Sequence, residues 1–187
     1  MLFRSLRSGS VLLSEVMANS RTVAFGGAIG ADWLEIYNAS SATTDLSGMS
    51  VTDDPKTPRR WVFPNGAKLP PQTHLAILCD PNAPAATNYA AGAVMNTGFG
   101  LDSAGDGVFI FDAPSRGGAL LDSVQFGLQA ADYSLSRIPD INGDWGLGLP
   151  TPGLPNTAAA LGDPALIRIN EWMANPANGD DWFELLD

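Results

Sequence analysis

A chain that contains the same two segments twice, in the same order, has to build the same structural unit twice. Asp32-Trp33-Leu34-Glu35-Ile36-Tyr37-Asn38 returns as Asp181-Trp182-Phe183-Glu184-Leu185-Leu186-Asp187. Upstream of each copy, Glu15-Val16-Met17-Ala18-Asn19 returns as Glu171-Trp172-Met173-Ala174-Asn175, identical at four of five positions. The stretch between Asn19 and Trp33 is residues 20–32, and between Asn175 and Trp182 it shrinks to residues 176–181 while the flanks hold. That is how a solvated hairpin loop behaves between strands fixed by packing. Within each copy Leu34 and Ile36 (Phe183 and Leu185) alternate with Trp33 and Glu35 (Trp182 and Glu184). A period of two is a β-strand with one buried and one half-exposed face.

The rest of the chain fits strands joined by tight turns. Alternation and flanking turn residues predict strands at 11–17, 31–38, 46–52, 60–64, 74–79, 107–112, 119–126 and 133–138. Between them, Asp54-Pro55, Pro64-Asn65-Gly66, Asp80-Pro81-Asn82 and Ile141-Asn142-Gly143 supply fixed or positive φ where the chain must reverse. With 20 Gly, 14 Pro and only 16% charged residues, and no convincing helix, the expectation is an all-β sandwich of about eight short strands. Leu34, Ile36, Ile77, Phe109, Phe111 and Val124 are its expected interior. Residues 81–100 read as a long loop. Residues 146–165, with Pro150, Pro152, Pro155 and Pro164, read as extended chain that cannot sit inside a sheet, since proline has no amide proton for a ladder. The expected organisation is a disordered lead-in at 1–10, the sandwich at 11–156, a Pro/Ala linker at 157–165, and at 166–187 the first strands of an incomplete second copy. Two strands cannot enclose a core, so this fragment is expected to fray, lie against the first unit, or self-associate with another copy through its free edge.

A net charge of −10 disfavours generic nucleic-acid binding, because the field repels phosphate backbones. The single cysteine, Cys79, lies in the apolar run Leu75-Ala76-Ile77-Leu78-Cys79 and reads as a small core hydrophobe. No run reaches the roughly 18 apolar residues of a membrane span. Arg4 and Arg7 ahead of Val11-Leu12-Leu13 do not make a signal peptide, because the apolar part is too short.

The laid-out strands carry a family resemblance. Glu15-Val16-Met17-Ala18-Asn19, Asp32 to Asn38, Asp45-Leu46-Ser47-Gly48, Thr52-Asp53-Asp54-Pro55, Trp61-Val62-Phe63-Pro64-Asn65-Gly66, the Gly107 to Asp112 strand, Leu121-Asp122-Ser123-Val124 and Pro150-Thr151-Pro152-Gly153-Leu154-Pro155-Asn156 resemble, in order and spacing, a bacterial lamin tail domain over residues 11–156. Ser14 departs from the family's usual Asn, which Asn170 supplies in the second copy. Arg137-Ile138-Pro139-Asp140 stands where a Gly is more typical. The resemblance implies an immunoglobulin-like sandwich without catalytic residues or a cofactor. It implies an extracellular or cell-surface protein-binding or spacer module, repeated along a larger bacterial protein, whose partner is a protein or cell surface. The alternative it implies is an accessory domain of an exported hydrolase whose catalytic residues lie elsewhere.

Candidate sites weigh little against this. His74 has no second histidine and no nucleophile elbow to work with, and reads as a solvated strand-end residue. Glu15 and Glu35, each repeated in the second copy, are read as structural carboxylates that accept bonds from loop amides or a Trp indole. Asp140, Asn142 and Asp144 reproduce the first three positions of a calcium loop. The pattern then fails at Trp145, where Gly is required, and at Thr151, where the bidentate Glu belongs, leaving at most a weak calcium site. The acidic loops at Asp53-Asp54 and at Asp102 with Asp106 are read similarly. Lys56, Arg59, Arg60 and Lys68 form a basic cluster read as solvated rim.

Overall fold

The computed structural model describes residues 5–7 and 9–186. Two antiparallel sheets pack face to face. Thirteen strands are numbered here, leaving aside two short side ladders: β1 (Ser5–Arg7), β2 (Val11–Met17), β3 (Asp32–Asn38), β4 (Ser50–Thr52), β5 (Trp61–Val62), β6 (His74–Cys79), β7 (Gly105–Phe111), β8 (Leu120–Gly127), β9 (Ser134–Ile138), β10 (Asp144–Leu149), β11 (Thr157–Ala158), β12 (Arg168–Met173) and β13 (Trp182–Leu186). One sheet has the order β1-β8-β7-β4-β5 and the other β6-β3-β2-β9-β10-β11. The expected all-β sandwich is therefore present, with more strands than the sequence suggested. Leu13, Val16, Leu34, Ile36, Val51, Ile77, Cys79, Val108, Ile110 and Val124 fill the space between the sheets.

The β2–β3 hairpin sits at the centre of its sheet. Its register pairs Leu13 with Ile36, Glu15 with Glu35, Val16 with Leu34 and Met17 with Trp33, and Ser14 is the extra residue of a bulge. The bulge is required by the sequence. Leu13 and Val16 lie three apart, so strict alternation would send one of them out of the core, and one unpaired residue brings both inside.

Four expectations need correction. Ser5–Arg7, inside the expected disordered lead-in, is a strand paired with β8; residues 1–4 and 8 of that lead-in lie outside the described residues. Residues 144–149, read in part as linker, form β10 between β9 and β11, and β11 carries the sheet past the expected boundary at 156. The prolines that argued against a strand begin only at Pro150, after the ladder ends. On β7 the side chains in the core between the sheets are Val108 and Ile110, whereas Phe109, itself buried, and the half-buried Phe111 lie outside that cluster. Val108-Phe109-Ile110-Phe111 is apolar at both parities, so alternation cannot choose the face; Phe109 lies over Gly107, where a Cβ would meet its ring at 2.7 Å. Finally, Trp33 is buried and not half-exposed, and Trp61 is buried as well. Val23 and Phe25 of the 20–30 loop cover Trp33 and Met17, with the Phe25 and Trp33 rings 5.8 Å apart. The Trp61 indole donates to the Ala86 carbonyl at 3.0 Å, which folds the long 81–100 loop over it.

One buried ion pair ties the sheets together. Arg137 on β9 donates to Asp122 on β8 at 3.1 Å and to the Leu13 carbonyl at 2.8 Å, and its guanidinium lies 4.5 Å from the Trp145 ring centre. Asp122 also accepts from the Leu13 amide at 2.9 Å. Burial pushes the Asp122 carboxyl above its ordinary value, with Arg137 pulling the other way.

Candidate functional site

Of the polar side chains singled out in the sequence, Glu15, Glu35 and His74 converge on the outer face of the six-stranded sheet. Because Glu15 and Glu35 are register partners on adjacent strands, their carboxylates share one face, and both are fully buried. What buries them is residues 150–156, which cross that face as a strap. Glu15 accepts from the Thr151 hydroxyl at 2.9 Å, from the Thr151 amide at 3.2 Å, from the Ser136 hydroxyl at 3.1 Å and from Ser134. Glu35 accepts from the Gly153 amide at 2.6 Å and bonds His74 Nδ1 at 2.6 Å. Asn156 closes the strap by donating to the Ser14 carbonyl at 3.0 Å and the Arg137 carbonyl at 2.9 Å.

Small residues make the room. Ser134 pairs with Gly148 across β9 and β10, and a Cβ on Gly148 would fall 2.4 Å from the Ser136 hydroxyl. Two like charges opposite one another in an isolated hairpin repel. Here the hydroxyl and amide donors offset that repulsion, and protonation relieves the rest: burial first, and the Glu35 charge after it, push the Glu15 carboxyl up to about 7.

His74 is thus not the solvated strand-end residue expected; it is mostly enclosed and bound to Glu35. Its partners resemble a serine hydrolase set in composition only. Ser14 Oγ lies 3.2 Å from His74 Nδ1, the same nitrogen that Glu35 occupies. A nucleophile activated by histidine needs the acid on one ring nitrogen and the hydroxyl on the other. Ser14 is also fully buried. The arrangement clamps the strap and does not present a nucleophile. Beside it lies an open groove of roughly 600 Å³ lined by Tyr37, Gln72, His74, Pro139, Ile141 and Pro155, with the Tyr37 and His74 rings 4.7 Å apart.

The other candidates fall elsewhere. Asp140, Asn142 and Asp144 are exposed on the turn joining β9 to β10, where Asp140 accepts from the Asn142 amide at 2.8 Å. Trp145 and Thr151, the residues that break the calcium pattern, are the ones stacked on Arg137 and bonded to Glu15. Among the described residues, no group of three or more His, Cys, Asp or Glu side chains is placed to hold a metal ion. Asp54 and Asp102 accept from backbone amides two residues on, at 2.9 and 2.8 Å, so these acidic loops close their own turns. The basic cluster is dispersed: Arg60 pairs with Asp53 and lies over Phe99, and Arg59 donates to the Gly48 carbonyl. Cys79 is buried in the core as expected, and burial pushes its thiol up.

The strap residues Thr151, Gly153 and Asn156 were not legible as site residues. Their signal was the pair of buried-strand glutamates, which require donors from somewhere outside the sheet.

Among families of known proteins, the model described as Lamin Tail Domain matches residues 5–127. That family consists of β-sandwich interaction modules. The match begins at β1 and ends with β8, so β9 to β11 and the strap lie beyond it. Among curated proteins, none matches the chain.

Proposed function

The chain belongs to the lamin tail domain family, and from that premise we propose that it is a non-catalytic protein-interaction or spacer unit carried in series in a secreted or surface protein. One observation carries the serial reading. The hairpin β12–β13 pairs Ile169 with Leu185, Glu171 with Glu184, Trp172 with Phe183 and Met173 with Trp182, and its bulge falls at Asn170. Every one of these is the counterpart of a β2–β3 pair, and the bulge falls at the counterpart of Ser14. This likeness supports reading 166–187 as the opening strands of a second unit. The acidic surface and the absence of a free nucleophile at the strap clamp support binding or spacing over catalysis or nucleic-acid contact.

Serial units must fold independently. Ala159 is buried and its amide donates to the Leu147 carbonyl at 3.0 Å, so the first unit ends just beyond it. A chain ended after residue 160 is expected to melt within about 2 °C of the full chain in calorimetry. A drop above about 5 °C, the effect of 1 kcal/mol or so at this size, would place the C-terminal strands inside the first sandwich and remove the serial reading.

A further inference from the structure

Twice within the chain a guanidinium is held between an aromatic ring and a carboxylate. The Arg137 guanidinium lies 4.5 Å from the centre of the Trp145 ring and donates to Asp122 at 3.1 Å. The Arg60 guanidinium lies 4.6 Å from the centre of the Phe99 ring and pairs with Asp53. The open groove beside the strap clamp offers the same two partners, the Tyr37 ring and the Asp140 carboxylate, and no lysine or arginine is among the described residues that line it. Asp140 is exposed and spends one carboxylate oxygen on the Asn142 amide at 2.8 Å, which leaves Oδ2 facing no partner of its own turn. His74 stands against Tyr37, and the Glu35 carboxylate bonded to its Nδ1 at 2.6 Å offsets a positive charge on that ring.

We propose that this groove binds an arginine side chain of a partner protein, with the guanidinium over Tyr37 and against Asp140. The inference rests on the interaction reading above and names the chemistry of the partner at one site. Three observations select this occupant. First, charge: with Asp140 at the groove and a net charge of −10 on the chain, the field draws cations and repels phosphates and carboxylates. Second, shape: the face of Tyr37 between Pro139 and Pro155 suits a planar, weakly hydrated guanidinium. An ammonium is compact and strongly hydrated, so it gains less by leaving water for the same place. Third, size: the groove, roughly 600 Å³, exceeds one arginine side chain, so the residues flanking that arginine in a peptide have Pro139, Ile141 and Pro155 to pack against. Gln72 at the rim is held at φ 55° with its backbone amide donating to the Asn38 carbonyl at 2.9 Å, and its side-chain amide is the polar group available to the partner's backbone.

NMR titration of the isotope-labelled full chain with a blocked peptide carrying one arginine between glycines tests this. Binding with a Kd of roughly 0.1–3 mM is expected, with the largest shifts at Tyr37, Gln72, His74 and Asp140. The same peptide with citrulline, a neutral isostere of arginine, is expected to bind at least about tenfold more weakly. Free arginine, which lacks the flanking residues, is also expected to bind more weakly than the peptide. Asp140 is exposed, so Asp140→Asn changes the groove without touching the core, and it is expected to weaken binding about three- to tenfold. Tyr37→Leu keeps a large apolar side chain on the strand and is expected to weaken it by a similar factor. No shifts at about 10 mM peptide, equal affinity for the citrulline peptide, free arginine binding as tightly as the peptide, or an affinity unchanged in Asp140→Asn would each overturn the proposal. None of these outcomes bears on the melting of the chain ended after residue 160, so the reading that measurement tests stands or falls separately.

Discussion

The β2–β3 and β12–β13 hairpins share register, bulge and opposed glutamates, and they differ in nearly everything around them. In the first, the strap and the serines of β9 satisfy Glu15 and Glu35, and the second sheet covers Leu13, Val16, Leu34 and Ile36. In the second, Glu184 has Asn170 as its bonding partner, and every described residue of the two strands is exposed. The difference separates two layers of information. Register and bulge follow from local pattern, because a spacing of three between apolar residues demands an extra residue wherever it occurs. Burial is conferred from outside, by strands and a strap far along the chain.

The comparison is broken or sharpened most strongly at the apolar face. Leu34→Ala is expected to destabilise the unit by about 2–5 kcal/mol, the range for a core leucine. Its counterpart Phe183→Ala is expected to change the main transition by less than about 0.5 kcal/mol. Urea melts at low protein concentration measure both, and a cost above about 1 kcal/mol for Phe183→Ala would make the hairpins energetic equals.

Next comes the carboxylate pair. Glu15 holds its proton more tightly folded than unfolded, so its contribution is greatest below the ordinary carboxylate value and declines as pH rises toward about 7. Between the ordinary 4.5 and about 7 the loss is roughly 3 kcal/mol. Above that window the profile is level with respect to this group. Glu15→Gln should flatten the slope. Asp32, Asp106 and Asp122 are also raised by burial. The difference between the variant and the parent, measured by denaturant melts at stepped pH, is therefore the quantity to compare.

The smallest effect is at the bulge. Ser14→Asn places the bulge residue of the β12–β13 hairpin beside His74 and Asn156 in a filled space, and an overpacking cost of about 1–2 kcal/mol is expected. Asn170→Ser, on an open surface, should cost less than about 0.5 kcal/mol. Equal costs would mean that the bulge itself, and not its enclosure, sets the preference.

The sandwich was legible because period-two patterning and turn chemistry are local, and the 74–79 strand emerged with the bounds expected. What escaped needed long-range information. Phe109 and Phe111 were placed inside because β7 is apolar on both faces, and only its neighbours in the sheet choose between them. β10 was hidden because Gly146 and Gly148 weaken the strand pattern. Gly148 is there to clear space for Ser136 and, through it, for Glu15. His74 was read as solvated because a lone histidine gives no local sign of a carboxylate on the neighbouring strand. Arg137, noted only as a departure from a family pattern, is the cation that joins the sheets.

The two ends of the folded unit leave from different sheets: β1 lies on the edge of one, and β11 on the edge of the other. Tension applied between β1 and β11 would therefore load the molecule across its thickness. At the C-terminal side the grip is the two-residue ladder of β11, where Gly148 faces Ala158 and Leu149 faces Thr157. A pull from the C-terminal side would peel that ladder open before any core strand is loaded. The pull would then meet the strap, where Asn156, Gly153 and Thr151 are anchored in turn to buried groups. The clamp that hides two carboxylates would act under load as a series of mechanical stops.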